Sequence, residues 1–194
     1  MNSKTLNKWS RIVLAILGIS LVISIFDPMW SIYLQAPQYP EGLSMFLWSN
    51  KITVDYEIIN GLNHYIGMKT IHEEDFWEFK ILPYALGFFA VLCFITAFLN
   101  RKIALYMTTV LFLIFGVAFM VDFYMWEYNY GHHLDPHAAI VVPGMSYQPP
   151  LIGFKQLLNF GAYSYPNIGG GIMIGVAFIL AILAFIEFRK PKTV

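Results

Sequence analysis

Charge is what this sequence has least of: 12% of its 194 residues are Asp, Glu, Lys or Arg, about half the share found in an ordinary soluble domain. A chain of this size folded in water leaves more surface than so few polar groups can cover. Its 58% hydrophobic content and mean hydropathy of +0.59 therefore point to lipid as a second solvent. Cysteine is nearly absent, and the single Cys93 excludes an intramolecular disulfide framework, dithiol redox chemistry and a multi-cysteine zinc or iron–sulfur site. A formal net charge of zero excludes a basic nucleic-acid binder. There is no internal repeat, low-complexity tract or flexible linker, so the chain reads as one membrane domain, 1–194.

Long charge-free runs are what is present. Ile81 to Leu99, Ile103 to Val121 and Ile168 to Ile186 carry no charged residue, and each is close to the ~20 residues that cross about 30 Å of hydrocarbon. A fourth run, Ile12 to Phe26, is shorter, but Trp9 and Trp30 flank it and tryptophan favours the headgroup zone. A secretory signal peptide is the competing reading of this first run, although no small-x-small cleavage pattern follows Phe26. The expected fold is an all-α integral membrane protein: a four-transmembrane-helix bundle with spans 12–30, 81–99, 103–125 and 168–188, and two structured extracytoplasmic loops, 31–80 and 126–167.

Lys4, Lys8, Arg11, Arg101, Lys102, Arg189, Lys190 and Lys192 fall on one side if the spans alternate. The positive-inside rule makes that side cytoplasmic. The expected localisation is the bacterial inner membrane, multi-pass, with both termini cytoplasmic. None of the apolar runs contains Asp, Glu, Lys, Arg or His. Transport pathways, proton relays and haem sites held between transmembrane histidines need such groups at depth, so these classes are disfavoured.

Whatever chemistry there is falls in the outer segments between the apolar runs, roughly Asp27 to Lys80 and Asp122 to Asn167, which hold all five histidines and Met29, Met45, Met68, Met125 and Met145. Imidazole and thioether without thiolate suit copper, since soft sulfur favours Cu(I) and imidazole accepts both oxidation states. Two patterns sharpen this. In Asn60-Gly61-Leu62-Asn63-His64-Tyr65-Ile66-Gly67-Met68, His64 and Met68 are four apart and share a face if the turn is helical. Gly67 weakens that helix. In Gly131-His132-His133-Leu134-Asp135-Pro136-His137, Gly131 can stop the third span and Asp135-Pro136 can open a new helix. The three histidines reach one ion if the turn folds back, with Asp135 orienting an imidazole. The candidate metal ligands are thus His64, Met68, His132, His133 and His137. The competing reading is of interface loops rich in His and Tyr for amphipathic reasons alone. Asp122 and Glu127 at the end of span three read as secondary ligands, proton-handling groups or markers of where water begins. No nucleophile triad, phosphate-cradling glycine loop or catalytic carboxylate pair stands out.

At Ala36-Pro37-Gln38-Tyr39-Pro40-Glu41-Gly42-Leu43, Ile59 to Met68 and Gly131 to His137, the chain resembles small four-span membrane proteins encoded among nitrous oxide reductase maturation genes in bacteria. The resemblance implies a part in respiratory nitrous oxide reduction. The protein would help deliver or assemble copper, or support electron delivery to a periplasmic copper enzyme, and no residue takes a catalytic role from it. The expected function is therefore that of a copper-linked accessory membrane protein, not a self-sufficient enzyme, with the lipid bilayer and a periplasmic or membrane protein as partners. A metal-free scaffold that docks a partner complex through its outer loops is the alternative. A membrane enzyme acting on quinol or lipid near Asp122 and Glu127 is a third.

Overall fold

Leu14, Leu17 and Leu21 recur at helical spacing in a run without charge, and in the computed structural model, which describes residues 4–189, they form the buried stripe of helix α1, Lys8–Ser24. The small Gly18 on this stripe lets α1 approach the backbone of Ala90 and the ring of Phe94. Both belong to α3, Glu78–Leu99, which α1 follows closely. Pro83 lies inside α3, beyond the first turn expected for it, so the helix forgoes one amide hydrogen bond there. Asn100 in the left-handed conformation ends α3, and the chain turns at once into α4, Lys102–His132. The last helix, α5, spans Ile168–Arg189. Leu14, Leu21, Leu86, Cys93, Leu105, Phe112, Val176 and Leu180 fill the core between these four. Their polar contacts are short and paired: Thr96 and Thr108 share a hydrogen bond of 2.8 Å, and Thr109 donates to the Leu105 carbonyl at 2.9 Å.

Among the described residues, α3, α4 and α5 are long and apolar enough to cross a membrane. The 17 residues of α1 extend about 26 Å at 1.5 Å per residue, short of the hydrocarbon thickness. The 31 residues of α4 extend about 46 Å, well beyond it. Its charge-free stretch from Ile103 to Val121 is the part suited to lipid, and charged residues return at Asp122. Lys190 and Lys192, used above to assign orientation, lie outside the described residues.

The expectation of an all-α four-transmembrane-helix bundle is corrected here. The fold is mixed α/β, because the two outer connections are not separate loops but one five-stranded antiparallel sheet. The first supplies β1 (Trp30–Ala36), β2 (Tyr39–Leu47), β3 (Ile52–Val54) and a helix α2 (Tyr56–Ile66), followed by a 3₁₀ turn at Glu73–Asp75. The second supplies β4 (Gly153–Leu157) and β5 (Phe160–Pro166). The strand order is β3-β2-β1-β5-β4. Residues 141–150 form neither helix nor strand. The physical reason for the sheet is that backbone groups in an apolar, weakly charged connection need partners, and β1 finds them in β2 on one side and β5 on the other. Trp30 pairs with Leu47 and with Pro166, and Tyr33 pairs with Tyr163.

Period-two alternation decides what the sheet buries. Leu43, Met45 and Leu47 of β2 turn inward with Trp30 and Ile32 of β1. The outer end of α4 lies on this face through Met120, Phe123, Trp126 and Tyr130, and α2 adds Ile59. Trp30 packs edge-on against Phe123, with ring centroids 5.2 Å apart, and its indole N–H donates to Ser164 Oγ at 2.7 Å. β5 runs into α5 with only Asn167 between them, and Gly170 of α5 lies against the Met29 carbonyl, where a side chain has no room.

Candidate functional site

Gly67 decides the geometry around His64. Its φ of +78° ends α2 at Ile66, so His64 and Met68 do not share a helical face. His64 is exposed, whereas Met68 is buried with Ile66, Tyr147 and Leu157. The second cluster also departs from its expected form. α4 passes through Gly131 and ends at His132, and Asp135-Pro136 opens a turn in which the Asp135 carboxylate accepts the His137 amide at 2.8 Å, with no new helix. The imidazole of His132 donates from Nδ1 to the Tyr128 carbonyl at 2.9 Å and stacks on the Tyr128 ring, 4.0 Å between centroids. The Nδ1 of His133 is 3.2 Å from the Asn129 carbonyl. Each is occupied by its own helix terminus, and successive positions on a helix point about 100° apart.

The two outer connections do meet. The Asp135 amide donates to the Gly67 carbonyl at 2.8 Å, and the Ile140 amide to the Tyr65 carbonyl at 2.8 Å. This brings His64 into electrostatic reach of Asp135, whose Oδ1 lies 3.4 Å from His137 Nδ1. The His137 amide, and then the imidazoles of His137 and His64, hold the Asp135 carboxyl below its ordinary range. So the structure gathers His64, Asp135 and His137 at one exposed edge and leaves Met68, His132 and His133 elsewhere. Among the described residues, no group of three or more His, Cys, Asp or Glu is arranged to hold a metal ion.

Carboxyl groups crowd the level where α4 leaves the apolar zone. Asp122 faces Glu78 across the mouth of the α3–α4 cleft, in a cavity also lined by Trp30, Trp48, Phe76 and Trp126. Glu127 is different: it is wholly buried, and neither carboxyl oxygen has a hydrogen-bond partner. Burial alone pushes its carboxyl up to about 8.

The feature that motif reading missed is the other face of the sheet. Pairing places Tyr33 opposite Tyr163, Phe46 opposite Ser31, Ser31 opposite Tyr165 and Phe154 opposite Tyr163. These side chains share the face turned away from α2 and α4. Tyr33, Tyr165 and Phe154 are 41%, 43% and 52% exposed. Phe154 and Tyr163 lie 4.6 Å apart, and Tyr33 and Phe46 6.0 Å. Ser31, Gln35, Ser44, Thr53 and Gln156 complete the same strand positions, and none of them is charged. The signal that could have found it is the alternation in Ala162-Tyr163-Ser164-Tyr165, small inside and aromatic outside.

Compared with known proteins, the chain matches no family model, no curated protein and no solved structure.

Proposed function

We propose that the protein is an accessory membrane protein whose outer domain docks a partner protein outside the cytoplasmic membrane. The observation that carries this reading is the uncharged aromatic face of the sheet, built from Tyr33, Phe46, Phe154, Tyr163 and Tyr165. Contiguous exposed aromatic surface on a folded domain marks an interaction site. Tyrosine with small hydroxyl and amide neighbours gives large contact area and adaptable hydrogen bonding at little entropic cost. The cations gathered where α1 begins, where α3 meets α4 and where α5 ends support a cytoplasmic placement of that end. The sheet is then outside.

The test is photo-crosslinking in native membranes from position 165 on the sheet face and from position 98 on the lipid-facing side of α3. A protein adduct specific to position 165, lost by about tenfold in Tyr33→Ser/Phe154→Ser, is expected. Identical adducts from both positions would overturn the reading.

A second reading, transient copper handling linked to a copper enzyme such as nitrous oxide reductase, is favoured by the edge where His64 and His137 flank Asp135. Two imidazoles and a carboxylate are an open ligand set that a carrier can load and a partner can empty. Copper titration of the purified protein tests it. Bound metal that falls in His64→Ala/His137→Ala supports the reading, and stoichiometry unchanged by that variant removes it.

A further inference from the structure

Three buried side-chain oxygens towards the outer end of α4 have no hydrogen-bond partner. Two are the oxygens of Glu127 on α4, and the third is the hydroxyl of Tyr147, which is 1% exposed on the segment that crosses the end of α4. The Tyr147 amide donates to the Gly131 carbonyl at 2.8 Å, and Gly131 lies so close to the Gln148 backbone that a side chain there has no room. Glu127 is one helical turn before Gly131 on the same side of α4. The segment that crosses α4 on this side is a strap, residues 133–152, tied to the rest of the fold by the bonds from Asp135 to Gly67 and from Ile140 to Tyr65 and by the Leu151 carbonyl, which accepts the Ser164 hydroxyl at 3.1 Å.

We propose that this strap is a proton-held latch: it closes over the outer end of α4 while the Glu127 carboxyl beneath it is protonated, and it is released when that proton leaves. An ionised carboxylate sealed from water without a donor or cation is among the most unfavourable arrangements a fold can hold. Opening the strap gives it water.

The charged and titratable groups of the surrounding elements do not offer Glu127 an alternative partner. On α4, Asp122 faces Glu78, the Tyr130 hydroxyl takes the Asn63 amide, and His132 and His133 are bonded to backbone carbonyls. On the strap, Asp135 lies 3.4 Å from His137 with His64 of α2 beside it, and the buried Tyr147 hydroxyl is not bonded to Glu127. On β4, Lys155 Nζ donates to the Gln148 carbonyl at 3.0 Å. On β1 and β5, Tyr33, Tyr163 and Tyr165 occupy the opposite face of the sheet.

The sign follows from the two states. In the closed state the carboxyl is pushed up to about 8, and in the open state it returns towards its ordinary value of 4.5. The open-to-closed ratio therefore rises by up to about tenfold per pH unit between those limits and is level above the upper one. The strap carries His137 and the exposed Ile140, Val141 and Val142, so its release reshapes the histidine edge. The latch itself does not depend on whether that edge binds metal or protein.

Hydrogen exchange of amides 134–149 in the full-length protein in detergent micelles, corrected for intrinsic rates, tests this between about pH 5 and pH 9. The wild type is expected to lose protection steeply up to about pH 8 and then level off, while Glu127→Gln stays protected throughout. Tyr147→Phe, which keeps Glu127, is expected to retain the wild-type slope and serves if the first variant does not fold. Protection independent of pH in the wild type, or the same slope in Glu127→Gln, overturns the proposal. Restoration of protection at pH 8 by sodium, potassium or calcium also overturns it, because the site then holds a metal cation and not a proton.

Discussion

Gly67 and Asp135, from opposite halves of the chain, are joined backbone to backbone: the Asp135 amide donates to the Gly67 carbonyl at 2.8 Å. With the bond from the Ile140 amide to the Tyr65 carbonyl, it places the end of α2 beside the histidine edge. It holds because Gly67 has φ of +78° and no side chain. A Cβ there would lie 2.8 Å from the Asp135 oxygen and 3.0 Å from the Ala138 methyl. Gly67→Ala is expected to destabilise the outer domain by about 1–3 kcal/mol through strain and overpacking. Thermal unfolding in detergent, with limited proteolysis mapped to 134–140, measures it. Gly116→Ala, which meets nothing within 4 Å, is the control and should be neutral or slightly stabilising.

The Trp30 indole and Ser164 hydroxyl are bonded at 2.7 Å inside the sheet–helix interface. Ser164→Ala leaves a buried N–H unpaired and should cost about 1–3 kcal/mol. Trp30→Phe should cost less at that bond, since it removes the donor, and more in packing against Phe123. Comparing the two by chemical denaturation separates hydrogen bonding from packing. Equal stability of wild type and Ser164→Ala would show that the bond contributes nothing.

At the opposite end of the molecule, Glu187 is buried and accepts the Ser10 hydroxyl at 2.6 Å and the Asn7 amide at 3.1 Å, while Lys102 Nζ donates to its carbonyl at 2.6 Å. Glu187→Ala keeps that backbone carbonyl but removes the carboxylate that α1 bonds and that lies 3.7 Å from Lys102 Nζ. A loss of roughly 3 kcal/mol is expected, because Lys102 and Ser10 remain buried or half-buried without it. The reading is the change in melting temperature, with Glu187→Gln expected to retain part of the stability.

Global stability should also carry a signature of Glu127. Because its carboxyl is raised in the fold, the folded chain binds more protons than the unfolded one between about pH 4.5 and about 8. Stability contributed by this group is complete at the acid end of that window and declines with rising pH by at most about 1.4 kcal/mol per unit. Urea unfolding of wild type against Glu127→Gln at matched pH measures the difference. Identical pH slopes for the two would remove the group from the account.

Helices α3, α4 and α5 were legible because each contains a charge-free run about as long as a bilayer is thick, a signal that lies within one stretch of sequence. The sheet was not, because its central pairing joins Trp30–Gln35 to Gly161–Pro166 across most of the chain. No local pattern in Trp-Ser-Ile-Tyr-Leu-Gln-Ala announces a partner that distant. β1 also follows α1 after a few residues, so its apolar positions read as the end of a membrane run. His64 and His137 were found by type, and their shared neighbour Asp135 was named. The left-handed turn at Gly67, which sends Met68 into the core, is set by the segment packed against it. Glu127 read as a secondary ligand, a proton-handling group or a marker of where water begins, because its complete burial leaves no trace in its sequence neighbours.

Two inner strands of the sheet are joined directly to helices of the bundle: β1 emerges from the end of α1, and β5 leads into α5 through Asn167. Any load applied to the tyrosine face by a bound molecule thus enters the bundle along two covalent struts, while α4 meets the sheet through side-chain packing such as Phe123 on Trp30. The assembly should tilt as a stiff unit about α1 and α5 under such a load, with slippage confined to the α4 contact.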